Sequence, residues 1–197
     1  MTNTDLHDFL HSRRSVRRFI ADPIPDSVIE RILTTAAFAP SAHNLQPWRF
    51  VIVKNSDART RLGTALTTKM RADMQAEGAP TSEIESRAGR SLRRIDEAPV
   101  IIVLCRDVTA IRVNTPEETV MNIQSTALAG MNILLAARAE GLDANWICWP
   151  LYAKEETRAA LDLPETWEPQ AMLIAGYADE EPKEKELKPL NKISVYL

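Results

Sequence analysis

Between residues 26 and 36, Val28, Ile29, Ile32, Leu33 and Ala36 recur three and four apart, which is the spacing of one face of an α-helix. Asp26 or Ser27 supplies its cap, Asp22-Pro23-Ile24-Pro25 forms a rigid link before it, and Pro40 closes it. A shorter amphipathic helix comes first. Thr4-Asp5 caps a run to Ser12, with Leu6, Phe9 and Leu10 on the side expected to be buried. Residues 48–53 and 170–177 read as strands. Residues 99–105 form an uninterrupted apolar run rich in Val and Ile, as in a strand covered on both faces. Ser56-Asp57 caps a long polar helix running towards Gly78, and a charged helix spans roughly residues 81–96. Thr115-Pro116-Glu117-Glu118 combines a cap, a proline and two first-turn acids, so a helix begins there and runs to about Glu140, stopped by Gly141. From Thr126 to Ala139 it is apolar on nearly every side and is predicted to be a buried central helix. Residues 145–149 read as a strand end and residues 154–161 as a short helix.

Helices interleaved with about four strands predict an α+β or mixed α/β layered domain. The 197 residues suit a single domain, 1–197, without a linker or an internal repeat. Residues 180–188 are a charged run and residues 191–197 turn apolar again, so 180–197 is expected to form a C-terminal arm packed on its own domain or on a partner subunit.

Composition narrows the function. With 45% hydrophobic and 26% charged residues the chain is an ordinary globular protein, and a net charge of −3 argues against nucleic acid as a partner. Its six glycines are too scattered to form GxGxxG or a P-loop, so any phosphate must be held by side chains. Cys105 and Cys148 form no CxxC and read as reduced thiols. The first residues lack a signal-peptide pattern, and the apolar stretches fall short of a membrane span of about 20 residues. A cytoplasmic protein with no membrane partner is expected.

Four clusters could carry chemistry. Arg13, Arg14, Arg17 and Arg18 surround Ser15, and planar guanidinium forks with a hydroxyl suit a phosphate; a solvated basic turn is the plainer alternative. Pro40-Ser41-Ala42-His43-Asn44-Leu45-Gln46 packs hydroxyl and amide groups into a loop that could read the edge of a planar heterocycle or simply satisfy its own backbone. His7 and His11 share a helix face, but no third ligand is visible, so no metal is expected. Asn145-Trp146-Ile147-Cys148-Trp149-Pro150 could wall a flat ligand or belong to the core. No nucleophile–base–acid set stands out, so no protein side chain is assigned a catalytic role.

Taken together, RRSVRRF, the Pro-x-Pro link and APSAHNLQPWRF resemble the N-terminal signature of the nitroreductase-like FMN-dependent flavoproteins. The resemblance continues through Ala98 to Val103, Met121 to Ser125, Asn132 to Ala137, Leu163 to Pro169 and Ala175 to Tyr177. Spacing is most similar to the branch containing the nitroreductase-like domain of deazaflavin-cofactor glutamyl ligases.

This resemblance implies an α+β fold with a central, mostly antiparallel sheet flanked by helices, in an intertwined homodimer with shared active sites. It implies FMN as cofactor, with Arg13, Arg14, Ser15 and Arg17 on its phosphate. Pro40, Ser41, Ala42 and Asn44 would reach the ring from the other subunit, and Cys148 and Trp149 would lie beside its reactive nitrogen. Lys185 matches the first of two C-terminal basic positions; Leu187 takes the second, with Lys188 as a substitute. Lys69 or Arg71 would help cover the ring. The implied activity is hydride transfer from NADH or NADPH to a small electron-poor acceptor such as a nitroaromatic, a quinone or an activated alkene, in ping-pong fashion. The alternatives are action on a deazaflavin or other specialised substrate, or a flavin-binding module without turnover.

Overall fold

The computed structural model describes residues 2–182 and 184–197; Met1 and Lys183, which fall within the expected domain and arm, lie outside the described residues. Seven helices accompany four strands among them: α1 (Asn3–Ser12), α2 (Asp26–Ala36), β1 (Trp48–Ile52), α3 (Ser56–Ala76), α4 (Thr81–Glu97), β2 (Val100–Asp107), α5 (Pro116–Ala139), β3 (Asp143–Ile147), α6 (Trp149–Tyr152), α7 (Lys154–Ala160) and β4 (Trp167–Gly176). The sheet order is β1-β2-β4-β3, and every neighbouring pair is antiparallel. This is the α+β layered architecture expected.

All eight residues of β2 are buried. Alternation sends Ile102 and Leu104 to one face, against α2 and α5, where Ile29, Ile32, Ala129 and Ile133 complete a core. Ile101, Val103 and Cys105 go to the other face, against α3 and α4, where Leu62, Leu66 and Ile95 pack. Burial pushes the Cys105 thiol up to about 12, with Glu168 adding to the effect, so this cysteine is an inert core residue. Between Leu104 and Cys105 the register with β4 shifts, leaving Gln170 as an extra residue beside Pro169. A bulge is one place where a strand tolerates proline's missing N–H.

Local chemistry sets the helix ends. Thr2 caps α1 and Asn55 caps α3, each one or more residues before the cap expected from sequence. Thr115 caps α5, and Gly141 follows its end at φ +78°, a conformation that favours glycine. Arg59 donates to Ile95 O, Asp96 O and Ala98 O at 2.8, 3.2 and 2.6 Å, satisfying carbonyls at the end of α4.

Three expectations need correction. Helix α1 buries no residue, and Leu6 and Leu10 are each 47% exposed, because no layer of the same chain covers their stripe. Helix α5 is buried on one side only. Ala129, Gly130 and Ile133 face the sheet, whereas Val120, Ile123, Leu128 and Met131 are exposed. At 24 residues it is also long and apolar enough to cross a membrane, contrary to the sequence estimate. Its buried Glu118, Asn122, Ser125 and Thr126 and its packing against the sheet make it a core helix. The arm meets its own domain near its start, where Glu180 accepts from Arg17 N–H and Leu187 borders a hollow with Leu10 and Trp146, whereas Ile193, Val195 and Tyr196 are exposed.

At Gly130 the backbone of α5 lies close against the sheet. A Cβ there would meet Leu104 Cδ2 at 2.8 Å and the Trp146 ring closer still. Gly130→Ala should therefore destabilise the fold by about 1–3 kcal/mol, read as a lowered urea midpoint. Glu168 gives a pH signature. Burial disfavours its charge, but Arg106 (2.8 Å) and Lys154 (3.1 Å) outweigh that and hold its pKa at about 2, against an ordinary value of 4.5. The stabilisation is full above pH 4.5 and declines as pH falls towards 2, so Glu168→Gln should flatten that limb of an acid-unfolding curve.

Candidate functional site

After α1 the chain becomes extended at Arg13 (φ −62°, ψ 128°). Val16 N–H donates to Ala144 O at 3.2 Å, docking the segment beside β3, and Ile20 N–H donates to Tyr177 O at 3.0 Å. Val16 and Phe19 are buried, which leaves Ser15, Arg17 and Arg18 at the surface. The cluster is thus held by backbone bonds and two apolar anchors, with Arg18 paired to Glu180 at 3.5 Å.

The arginines are not equivalent. Arg14 turns back and donates to His11 O and, at 3.2 Å, to Arg13 O, so it caps α1. Among the described residues the Arg17 side chain donates only to Ser15 O, at 3.3 Å, and Arg13 has no side-chain bond. Arg13, Arg14, Ser15, Arg17 and Lys185 line one hollow of about 250 Å³. The expected Lys185 is therefore beside the cluster. Lys188 is exposed and lines no cavity among the described residues, and Leu187 sits in a neighbouring hollow whose apolar side is Leu10, Met131 and Trp146 and whose other side is Arg13, Arg14 and Lys185. Glu180, Glu181 and Glu184 border the basic hollow as well. Glu180 accepts from Arg17 N–H at 2.5 Å and Arg18 N–H at 3.3 Å; the Arg17 bond first, then Arg18 and the two nearby charges, lowers its pKa against burial.

A larger cavity of about 720 Å³ opens between α3, α4 and α6. Cys148 and Trp149 line it with Met70, Met74, Arg94 and Tyr152. Arg94 is half-buried, and its charge is disfavoured first by burial, then by Arg17 and Arg90, while Glu180 opposes. It therefore lies within electrostatic reach of the basic hollow. Sequence reasoning missed Arg94 because its role depends on how α4 packs. The only local signal was the spacing of Arg87, Arg90 and Arg94. Neither Lys69 nor Arg71 lines this cavity. Lys69 pairs with Asp73, and Arg71 makes two bonds to Glu85 across α3 and α4 at 2.9 and 3.0 Å.

Residues 41–46 form a strained loop. His43, Asn44 and Gln46 have φ of 53°, 55° and 47°, each costing roughly 1–2 kcal/mol outside glycine. Surrounding bonds impose the shape. Gln46 N–H donates to Ser41 Oγ at 3.1 Å, Ala42 N–H to Ser125 Oγ at 3.1 Å, and Gln46 Nε2 to Asn44 Oδ1 at 3.1 Å. Such over-determined strain clusters at functional loops. Pro40, Ser41 and Ala42 border a hollow with Gln124, Ser125 and Leu128 of α5, whereas Arg13, Arg14 and Ser15 border one with Met131 and Leu134. Among the described residues, then, the loop and the basic cluster border different hollows, yet both flank the uncovered face of α5.

The fold is that of an α+β layered domain with a basic hollow at its margin. The Nitroreductase family model matches residues 10–177, and the chain belongs to that family. A relative, 5,6-dimethylbenzimidazole synthase of Rhodospirillum rubrum, is 34% identical over 182 residues, covering 90% of this chain and 84% of the relative. The YfhC protein of Bacillus subtilis, assigned as an NAD(P)H nitroreductase, is 27% identical over 188 residues, covering 94% of this chain and 90% of that one. Among solved structures, a nitroreductase-like protein of Desulfovibrio desulfuricans in complex with FMN superposes with a TM-score of 0.78 at 24% identity, covering 100% of this chain and 98% of that one.

Proposed function

We propose that the protein is an FMN-dependent oxidoreductase that takes hydride from NADH or NADPH and passes it to a small electron-poor acceptor, such as a nitroaromatic, a quinone or an activated alkene. The observation that carries this reading is the hollow shared by Arg13, Arg14, Ser15, Arg17 and Lys185. The donor set suits a phosphate monoester. Arg13 has no internal partner among the described residues, Arg17 is bonded only to a backbone carbonyl, and a hydroxyl lies between them. The bordering acids do not defeat the fit, since Glu180 is satisfied by backbone N–H groups and Glu181 and Glu184 are exposed.

Bound FMN would supply the hydride-accepting and hydride-donating chemistry. The chain's own residues bind and orient. Arg13 and Arg17 hold the phosphate with charge-assisted hydrogen bonds, and Arg14 shapes the segment by capping α1. Trp149 walls the cavity in which a planar substrate is positioned, and Met70 and Met74 keep that wall apolar. No side chain is required to move a proton for hydride transfer itself. Donor and acceptor use the same open cavity in turn, which gives ping-pong kinetics.

The protein is proposed to be a homodimer. Val120, Ile123, Leu128 and Met131 form an exposed apolar strip on α5, flanked by the two half-sites. A two-fold axis across it brings Pro40, Ser41, Ala42 and Asn44 of one protomer towards the basic cluster of its partner, and the arm of residues 180–197 wraps the second subunit. Two free cysteines, Cys105 and Cys148, accord with a cytoplasmic setting.

The second reading, action on a specialised flavin-related or deazaflavin substrate, is favoured by the 34% identical benzimidazole synthase. Screening aerobic reaction mixtures for 5,6-dimethylbenzimidazole by mass spectrometry separates the two; its formation would displace the nitroreductase reading.

The purified protein should be yellow and release FMN on denaturation, and a colourless preparation that ignores added FMN refutes the proposal. Arg13→Gln with Arg17→Gln should weaken FMN binding by about 3–6 kcal/mol, measured by fluorescence titration. Sedimentation should show a dimer, weakened by deletion of residues 191–197.

A further inference from the structure

Helix α4 carries Arg87, Arg90 and Arg94 at i, i+3 and i+7, so the three guanidinium groups share one face, and all three line the cavity of about 720 Å³. Their internal partners are few. Arg87 reaches Glu83 at 3.9 Å, one turn back, and Arg90 donates to Ser86 Oγ at 2.6 Å. Arg94 has no hydrogen bond or ion pair among the described residues, although it is half-buried.

The opposite wall does not neutralise this stripe. Asp73 on α3 is held by Lys69 through Oδ2 at 2.7 Å, and Glu77 is exposed at the end of α3. The rest of the lining is uncharged, with Ser91 and Cys148 beside Met70, Met74, Trp149 and Tyr152. A partly desolvated guanidinium without a counter-ion is costly, and an incoming oxyanion removes that cost. An aromatic wall next to unpaired guanidinium groups matches a flat molecule with a carboxylate at its edge.

We propose that Arg90 and Arg94 bind the carboxylate of a planar aromatic substrate lying against Trp149, so that the enzyme selects anionic over neutral acceptors. This names the substrate class of the proposed flavin site and rests on that reading. The two arginines are specificity-determining and stand apart from the phosphate-holding Arg13 and Arg17.

The test is equilibrium binding of 4-nitrobenzoate and 4-nitrobenzamide to the oxidised, FMN-loaded protein by calorimetry, without reductant. The carboxylate should bind at least about tenfold more tightly than the amide, the effect of one charge-assisted bond. The double variant Arg90→Gln/Arg94→Gln should lose that preference, leave the amide unchanged, and keep FMN affinity within about threefold of the parent. Raising ionic strength from about 0.05 to 0.5 M should weaken only the carboxylate. Equal binding of the two ligands by the parent, or a preference that survives in the double variant, overturns the proposal. FMN affinity falling about tenfold or more in the variant also overturns it, by assigning these arginines to the cofactor. Failure of the parent to take up FMN refutes the flavin reading itself, an outcome recognisable before either ligand is added.

Discussion

Burial of β2 on both faces is the constraint from which the rest follows. A strand whose eight residues are all buried cannot stand at the edge of the fold. It requires a pairing strand on each side, supplied by β1 and β4, and a helical layer on each face, supplied by α2 with α5 and by α3 with α4. The interior is then filled by Ile, Leu, Val and Ala. A polar ligand must bind at the margins, and the margin beside β3 is where the chain places its chemistry. The Arg13–Arg17 segment docks there through Val16 and Ala144, and Cys148 and Trp149 begin where β3 ends.

Charge at that margin is arranged unevenly. Glu77, Glu181 and Glu184 stand exposed, whereas three acidic side chains there are matched, Glu180 by two backbone N–H groups, Asp73 by Lys69, and Glu168 by Arg106 and Lys154. The guanidinium groups of Arg13 and Arg94 are not. A chain with net charge −3 thus places unpaired positive charge in two hollows, Arg13 in one and Arg94 in the other, as expected where phosphate or carboxylate groups are bound. The strain of residues 43–46 fits the same picture, because that loop is held in shape by Ser125 and Ser41 on the flank of the uncovered α5 face.

Much of this was legible beforehand. The helix over Asp26–Ala36, the doubly covered strand at Val100–Asp107 and the capped helix beginning at Pro116 were readable because their signals are local: residues three or four apart, an unbroken apolar run, and a cap followed by proline. Clustering of Arg13, Arg14, Ser15 and Arg17 was equally visible, being contiguous. The order of strands, the bulge at Gln170 and the pairing of Lys69 with Asp73 in place of the cavity were not.

By itself, the sequence determined which stretches form helices and strands and which stretch offers guanidinium groups to an anion, since periodicity, capping and contiguity are properties of neighbours along the chain. Only the tertiary structure decided that half of α5 and the stripe of α1 lie uncovered, that Arg94 comes within electrostatic reach of Arg17 some 77 positions away, and that the 41–46 loop stands apart from the basic cluster. The physical reason is that an apolar stripe specifies that it must be covered but not by what. Likewise, a charged helix face acquires a meaning only from the wall that packing sets opposite it.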